Sequence, residues 1–399
     1  MIKRVTGLAN PQRIVLRLLG VLTMMELGLA PSSSALAQTP ATIASPEDVP
    51  IALLVDVTSD QVLFSREADR RFVPASITKV MTLFHAFELI EEGNLDPRQR
   101  FQMNEETWSL WHRKGSTMFI GADDQVLVDD LLMGIANISA NDGSMALAEG
   151  QAASVDAWLD GMNERARALG MTNSHFGTPN GWPDEGRTFT NASDLVKLAK
   201  ALISRHPQKY ARYVGQEGFR YNNIAQSNRD PMIGRVEGAD GIKTGYTNES
   251  GLGYLGSAKR GRQRLVLVVA GTNRQDVRAA AASGLIEWGF SAFDRVQVAR
   301  KDEVFGSARV QNGDRTSVNL ATVRPVFVNL PSGSETDVKL SIAYDGPLHA
   351  PIVAGSEVAT LVVQVPGAQP ANIPLVAQDD VAEAGFVMRI WNGIAGWFS

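Results

Sequence analysis

The chain has 399 residues, 44% of them apolar and 20% charged, which is enough to bury more than one core and too apolar for a largely disordered protein. A net charge of −5, with Lys and Arg scattered rather than gathered into stripes, excludes nucleic acid as a partner. The absence of cysteine excludes a disulfide framework, a thiolate nucleophile and a cysteine zinc site, and none of the histidines (His85, His112, His175, His206, His349) stands in a metal-ligating spacing, so no metal or cofactor is implied.

At the N-terminus, Lys3, Arg4, Arg13 and Arg17 precede the apolar stretch Leu18 to Ala30, and Ala35-Leu36-Ala37 follows. A basic region, a short apolar run and small residues are the pattern of a secretory signal peptide over 1–37, cleaved after Ala37. The run is too short to span a bilayer and is interrupted by Glu26. Residues 38–48 lack apolar periodicity and read as a flexible mature N-terminus.

Ile51 to Val57 and Gln61 to Ser65, joined by Thr58-Ser59-Asp60, read as a β-hairpin. From Ser76 to Glu91 the apolar residues recur at helical spacing, and Gly93 ends that helix. Further helices are predicted at Val128 to Ile138, Gly143 to Leu169 and Ser193 to Ser204, with a Gly/Pro/Asn-rich loop from Gly177 to Gly186. Strands return at Gly253 to Ser257 and Arg264 to Gly271, and a helix from Arg274 to Gly289 closes the segment. Strands at both ends with helices between them define an α+β sandwich over 49–295. From 296 to 378 the chain becomes short Val-rich strands with turns at Asn312-Gly313, Ser332-Gly333 and Asp345-Gly346, a small all-β domain.

Ser76-Ile77-Thr78-Lys79 puts a hydroxyl and an amine three residues apart on one helix face, which is what an activated nucleophile needs. Alone, the tetrapeptide carries little information, since Ser76 could be an ordinary helix cap. Ser139-Ala140-Asn141, between two predicted helices, and Lys243-Thr244-Gly245, entering a strand region, change its weight. Together and in this order they form the set shared by β-lactamases and penicillin-binding proteins.

The sequence resembles the low-molecular-weight penicillin-binding proteins that act as serine-type D-Ala-D-Ala carboxypeptidases. The likeness rests on Pro74-Ala75-Ser76-Ile77-Thr78-Lys79-Val80-Met81-Thr82, on Ala140-Asn141-Asp142 and on Asp240-Gly241-Ile242-Lys243-Thr244-Gly245-Tyr246-Thr247, and spans about Pro50 to Phe293. It implies a penicillin-binding/β-lactamase-like transpeptidase fold followed by a small β-sandwich domain. Two residues depart from the family pattern: Asn180-Gly181-Trp182 stands where many members read His-Gly-Leu, and Ala140 where Gly is usual.

The resemblance implies that Ser76 attacks the carbonyl between two D-alanines of a peptidoglycan pentapeptide stem, with Lys79 as its base. Ser139 would relay a proton to the leaving amine, and Asn141 would hold the substrate amide or orient Lys79. Lys243 would depress the pKa of Lys79, and the backbone N–H groups of Ser76 and Tyr246 would form an oxyanion hole. Thr244 and Arg278, with Arg274 as rival, would bind the terminal carboxylate, and Gly245 completes the strand motif. Asp194 and Arg229 are a possible ion pair bracing the loop beside the site, and His85 reads as packing. β-Lactam antibiotics would be covalent inhibitors.

Two other readings stay open: a serine β-lactamase, for which Glu185 is the loop glutamate to consider, and a cell-wall-binding protein of the same fold without activity. Finally, Asp379 to Ser399 carries Val387, Ile390, Trp391, Ile394, Trp397 and Phe398 at helical spacing, with acidic residues in its first turn. This predicts an amphipathic helix over 379–399; its two terminal tryptophans and apolar face resemble the family's interfacial membrane anchor, which implies that the exported protein sits peripherally on the periplasmic face of the inner membrane.

Overall fold

The computed structural model describes residues 45, 47–333, 338–366 and 370–385. The expected signal peptide lies outside the described residues. Two compact units divide the described chain: Leu63–Phe290 together with the strand ending at Val57, and the residues from Ser291 onward together with the hairpin turn Thr58–Val62.

In chain order the elements of the larger unit are β1 (Ile51–Asp56), β2 (Gln61–Arg66), a 3-10 turn at Ala75–Thr78, α1 (Lys79–Glu91), β3 (Arg100–Phe101) and α2 (Glu105–Trp111). Then come β4 (Val126–Leu127), α3 (Val128–Asn137), α4 (Asn141–Gln151), α5 (Val155–Ala168), α6 (Ala192–Arg205) and α7 (Pro207–Tyr213). The hairpin β5 (Gly218–Tyr221) and β6 (Ile224–Ser227) leads to β7 (Ala239–Thr247), β8 (Gly251–Arg260), β9 (Gln263–Thr272) and α8 (Gln275–Ser291).

β1, β9, β8 and β7 form an antiparallel run in the sheet β2-β1-β9-β8-β7, with Leu53 opposite Val268 and Lys243 opposite Leu255. β1 is apolar over five consecutive residues because both of its faces are covered. Ala52 and Leu54 of β1, with Leu265, Leu267 and Val269 of β9, pack against Ala281, Ala282, Leu285 and Ile286 of α8. The intervening residues Leu53, Val55, Val266 and Val268 are equally buried, and α6 packs against both strands. Each buried Leu, Val or Ile contributes ~1.5–3 kcal/mol, so this double-sided core holds β7 firmly as the edge strand.

The predicted helix Gly143 to Leu169 is two helices. Ser154 breaks it by accepting a hydrogen bond from the Ala157 N–H at 3.1 Å, the geometry of an N-cap. Helices α2 and α7 and the hairpin β5–β6 were not expected. Asn104 caps α2 through the Thr107 N–H at 2.8 Å, followed by Glu105 and Glu106 in its first turn, and Pro207 starts α7.

The smaller unit contains β10 (Phe293–Ala299), β11 (Val304–Gln311), β12 (Ser317–Ala321), β13 (Val326–Pro331), β14 (Lys339–Ala343), β15 (Leu348–His349), β16 (Glu357–Gln364) and β17 (Ala371–Ala377). Its six-stranded sheet runs β14-β16-β17-β12-β11-β15, and β10 pairs with β13. Alternate residues of β16 and β17, Ala359, Leu361, Val363, Ile373 and Leu375, fill its core. Within this unit Asn329 donates from its backbone N–H to Gln61 Oε1 at 2.8 Å, and Gln61 Nε2 returns a bond to the Asn329 carbonyl at 2.9 Å.

The expectation of a helix from Asp379 is corrected at its start. Residues 379–385 are not helical. Val381 bridges Ile352 and is buried in the β core, and Glu383 bridges Gly313, so the first residues of the expected helix belong to the β unit. The remainder of the predicted helix, with its tryptophans, lies outside the described residues.

Candidate active site

Ser76 sits not on the long helix but in the 3-10 turn that leads into it, and Lys79 is the first residue of α1. The turn is held from two sides by glycines. A Cβ on Gly245 of β7 would lie 2.5 Å from the Pro74 carbonyl oxygen and 3.1 Å from Ile77, so only glycine lets the edge strand approach so closely. Gly181 has φ +73°, and a Cβ there would lie 1.8 Å from the Ala75 carbonyl oxygen. Gly181→Ala is therefore expected to displace the turn that carries Ser76. Thermal unfolding and penicillin-labelling rate check this: stability should fall by at least ~1–2 kcal/mol, the cost of a side chain in the left-handed region, and labelling should slow sharply.

Lys79 is completely buried. Its ammonium Nζ donates to Ser76 Oγ at 3.0 Å, Asn141 Oδ1 at 2.7 Å and the Asn180 carbonyl at 2.6 Å. Asn141 is oriented by its other end, where Nδ2 donates to the Lys114 carbonyl at 2.9 Å. Two of the three acceptors around Lys79, an amide oxygen and a peptide carbonyl, can only accept. When Lys79 loses a proton it keeps two N–H bonds for these oxygens, and its lone pair is left facing the one partner able to donate, the Ser76 hydroxyl.

Electrostatics favour that neutral form. Burial pushes the Lys79 pKa well below the ordinary lysine range, and the positive charges of Lys243 and Arg229 push the same way, against Asp142. Lys243, itself buried on β7, is lowered to about 7 by burial and by Arg229 and Arg278, with Asp230 opposing. Its Nζ donates to the Thr244 carbonyl at 3.1 Å.

Ser139 has φ +63°, an uncommon conformation for serine that is held by the junction between α3 and α4. Asp142 fixes that junction. It is fully buried and accepts backbone N–H groups from Met118 at 3.0 Å, Ile120 at 3.3 Å and Gly143 at 2.8 Å, tying the 116–121 segment to α4.

A groove of about 1210 Å³ is lined by Ser76, Ser139, Asn141, Thr244, Gly245, Tyr246 and Arg278, among others. Lys79 and Lys243 lie buried behind this surface. Arg278, only 8% exposed, reaches the groove from α8, and its Nε has no hydrogen-bond partner among the described residues. Arg274 is different: it pairs at the surface with Asp276 at 2.5 Å and does not line the groove.

The expected Asp194–Arg229 pair does not form. Asp194 pairs with Lys197 at 2.8 Å and accepts the Asn173 N–H at 2.8 Å, whereas Arg229 donates to Ser116 Oγ at 2.6 Å, bridging two groove-lining loops. His85 packs edge-on against Trp158 and accepts from Arg165 Nε at 2.8 Å; burial and then the Arg165 charge lower its pKa to about 3. Glu185 is exposed at its loop and does not line the groove, so it supplies no deacylating base there.

The sequence reading missed three parts of the site: the Asn180 carbonyl, the Asp142 anchor, and the contact of Gly181 with the turn that carries Ser76. The first is a main-chain atom, which residue identity does not announce. The third had a signal, a glycine inside a loop rich in Gly and Pro.

A serine and a buried lysine at 3.0 Å, set beside the edge strand of an antiparallel sheet with helices on both faces, define an active-site-serine acyl-transfer fold of the penicillin-binding type. The family model for D-alanyl-D-alanine carboxypeptidase matches residues 37–274, and that for the penicillin-binding protein 5 C-terminal domain matches residues 293–383. The chain belongs to the D-alanyl-D-alanine carboxypeptidase family. It is 33% identical to D-alanyl-D-alanine carboxypeptidase DacC of Escherichia coli (strain K12) over 93% of this chain and 95% of that protein. With DacA of the same organism it shares 33% identity over 85% of each. Its fold matches that of penicillin binding protein 5 from Haemophilus influenzae with a TM-score of 0.73 and 28% identity, covering 85% of this chain and 99% of that one.

Proposed function

We propose that this protein removes the terminal D-alanine from peptidoglycan pentapeptide stems through an acyl-enzyme on Ser76. The observation that carries the proposal is the set of bonds around Lys79, in which the only reversible partner is Ser76.

The steps follow from that arrangement. Neutral Lys79 takes the Ser76 Oγ–H proton as Oγ bonds to the carbonyl carbon of the penultimate D-alanine. The oxygen of that carbonyl becomes an oxyanion, facing the backbone N–H groups of Ser76 and Tyr246. The C–N bond then breaks, and the leaving amine takes the proton from Lys79 by way of the Ser139 hydroxyl. Water attacks the resulting ester, gives a proton to Lys79, and the C–Oγ bond breaks as Ser76 recovers its hydrogen. A β-lactam follows only the first half, because its cleaved amide stays attached, so it inhibits covalently.

The free carboxylate of the departing D-alanine belongs at Arg278 and Thr244. An arginine that is buried at the groove with an unpaired Nε is a ready anion partner. Arg278→Ala should lower kcat/KM for free-carboxylate peptides by about 10- to 100-fold, the worth of a charge-assisted hydrogen bond. Arg274→Ala should change it less than about 2-fold, in keeping with an exposed pair. The reverse ranking in steady-state assays would move the carboxylate site to Arg274.

The chain is proposed to be exported and to rest on the periplasmic face of the inner membrane through the segment beyond residue 385. Among the described residues no helix is long and apolar enough to cross a membrane. Deleting residues 386–399 should release the protein into the soluble fraction with activity on small peptides unchanged, since the reacting groups lie between Ser76 and Arg278. Membrane retention of the truncated chain in cell fractionation would refute the anchor.

A further inference from the structure

Beside the groove lies a cation that the steps above do not use. Lys114, in the loop after α2, places its Nζ 4.6 Å from the Trp111 ring centroid and 5.0 Å from that of Trp182. The two indoles meet edge to face at 5.7 Å, so the ammonium is held by both. Among the described residues no carboxylate pairs with it and no hydrogen-bond acceptor is bound to it. Trp182 and Gly115, the residue after Lys114, both line the groove that contains Ser76.

The cage is built into the site rather than attached to its surface. Gly115 is pressed against the other parts: a Cβ there would lie 2.7 Å from Asn141 Nδ2 and 2.8 Å from Trp182. The Lys114 carbonyl accepts from Asn141, and Asn141 N–H donates to the Ser116 carbonyl at 2.7 Å. The loop that presents the ammonium is thereby held at the catalytic asparagine.

We infer that Lys114, caged by Trp111 and Trp182, is a specificity subsite for an anionic group on the acyl-donor part of the substrate, a free carboxylate in the peptide upstream of the scissile bond. This rests on the proposed carboxypeptidase reading and adds a determinant to it. The leaving end of the substrate is assigned to Arg278 on α8, in a different wall of the groove from the 114–116 and 180–183 loops. The indoles fix the direction of the ammonium and reduce its hydration, which favours pairing with an anion over a free, fully solvated lysine.

The test uses the mature protein and a matched pair of peptides ending in D-Ala-D-Ala, one with a free carboxylate upstream of the scissile bond and the other with its carboxamide. The wild-type enzyme should prefer the carboxylate by about 10-fold in kcat/KM, a preference that shrinks as salt rises. Lys114→Gln should erase the preference by lowering kcat/KM for the carboxylate peptide alone. Lys114→Arg should keep most of it. Labelling of Ser76 by a fluorescent penicillin should proceed as in the wild type in both variants. A wild-type enzyme without preference, or a Lys114→Gln variant that loses both substrates and penicillin labelling together, would overturn the inference, the latter because Lys114 would then only be supporting Asn141. If the wild-type protein takes no penicillin and releases no D-alanine, the carboxypeptidase reading fails and the subsite falls with it.

Discussion

Ser76→Ala should lose D-alanine release by at least about 10⁴-fold and lose penicillin labelling altogether, with the melting temperature unchanged within about 2 °C. The reason lies in the groove. Among the described residues Ser76 is the only hydroxyl bonded to the buried amine, at 3.0 Å, and the alternative, Ser139, makes no such bond. Without Oγ there is no atom to acylate, and a water placed nearby would need both Lys79 and the oxyanion donors at once. The residue is half-buried in a short turn, so removing one oxygen leaves its packing in place. Mass spectrometry of the penicillin-treated variant checks this directly. A residual covalent adduct would move the nucleophile elsewhere.

Lys79→Arg should reduce acylation by about 10²–10⁴-fold, the usual worth of a general base, because a guanidinium stays protonated at every accessible pH. Since arginine is larger and the site is fully closed, Lys79→Gln serves as a second variant; it can bond Asn141 and Asn180 without acting as a base. Both should be acylated slowly by penicillin, and circular dichroism should show at least the glutamine variant folded. The pH dependence follows from the same residue. Protonated Lys79 cannot accept the serine proton, so acylation rises with pH as Lys79 deprotonates, at a pH below the ordinary lysine range because burial and Lys243 lower its pKa. Lys243→Gln removes one positive neighbour and makes protonation of Lys79 less costly. The rising limb should therefore move to higher pH. A limb that stayed in place or moved to lower pH would detach Lys243 from the tuning of Lys79.

The parts of this molecule that sequence could reveal are those in which one local rule dominates. The strands β1 and β9 contain unbroken apolar runs, Ile51 to Val55 and Leu265 to Ala270, and β9 lies between β1 and β8 as a central strand. The pair Ser76 and Lys79 was readable because both kinds of helical turn bring i and i+3 together, although the turn here is 3-10. Less visible were features set by distant partners. Asp194 was matched with Arg229 on charge alone, but each meets a nearer partner, Lys197 and Ser116. The helix expected from Asp379 was started too early, because Val381 packs in a β core and Glu383 bridges Gly313, pairings with distant strands that local spacing does not announce. Trp111 and Lys114 are near neighbours in the chain, but Trp182 stands far along it, and only the folded loops bring it into their cage.

The central claim is that Ser76 and Lys79 hydrolyse a D-alanyl-D-alanine bond. Incubating the mature protein with a pentapeptide ending in D-Ala-D-Ala, and following free D-alanine with the mass of the protein during rapid quench, measures substrate and chemistry together. The account predicts one D-alanine released for each peptide consumed, and a transient tetrapeptidyl adduct located on Ser76. Free D-alanine with no adduct on Ser76 when deacylation is blocked, or an adduct on another residue, would contradict it.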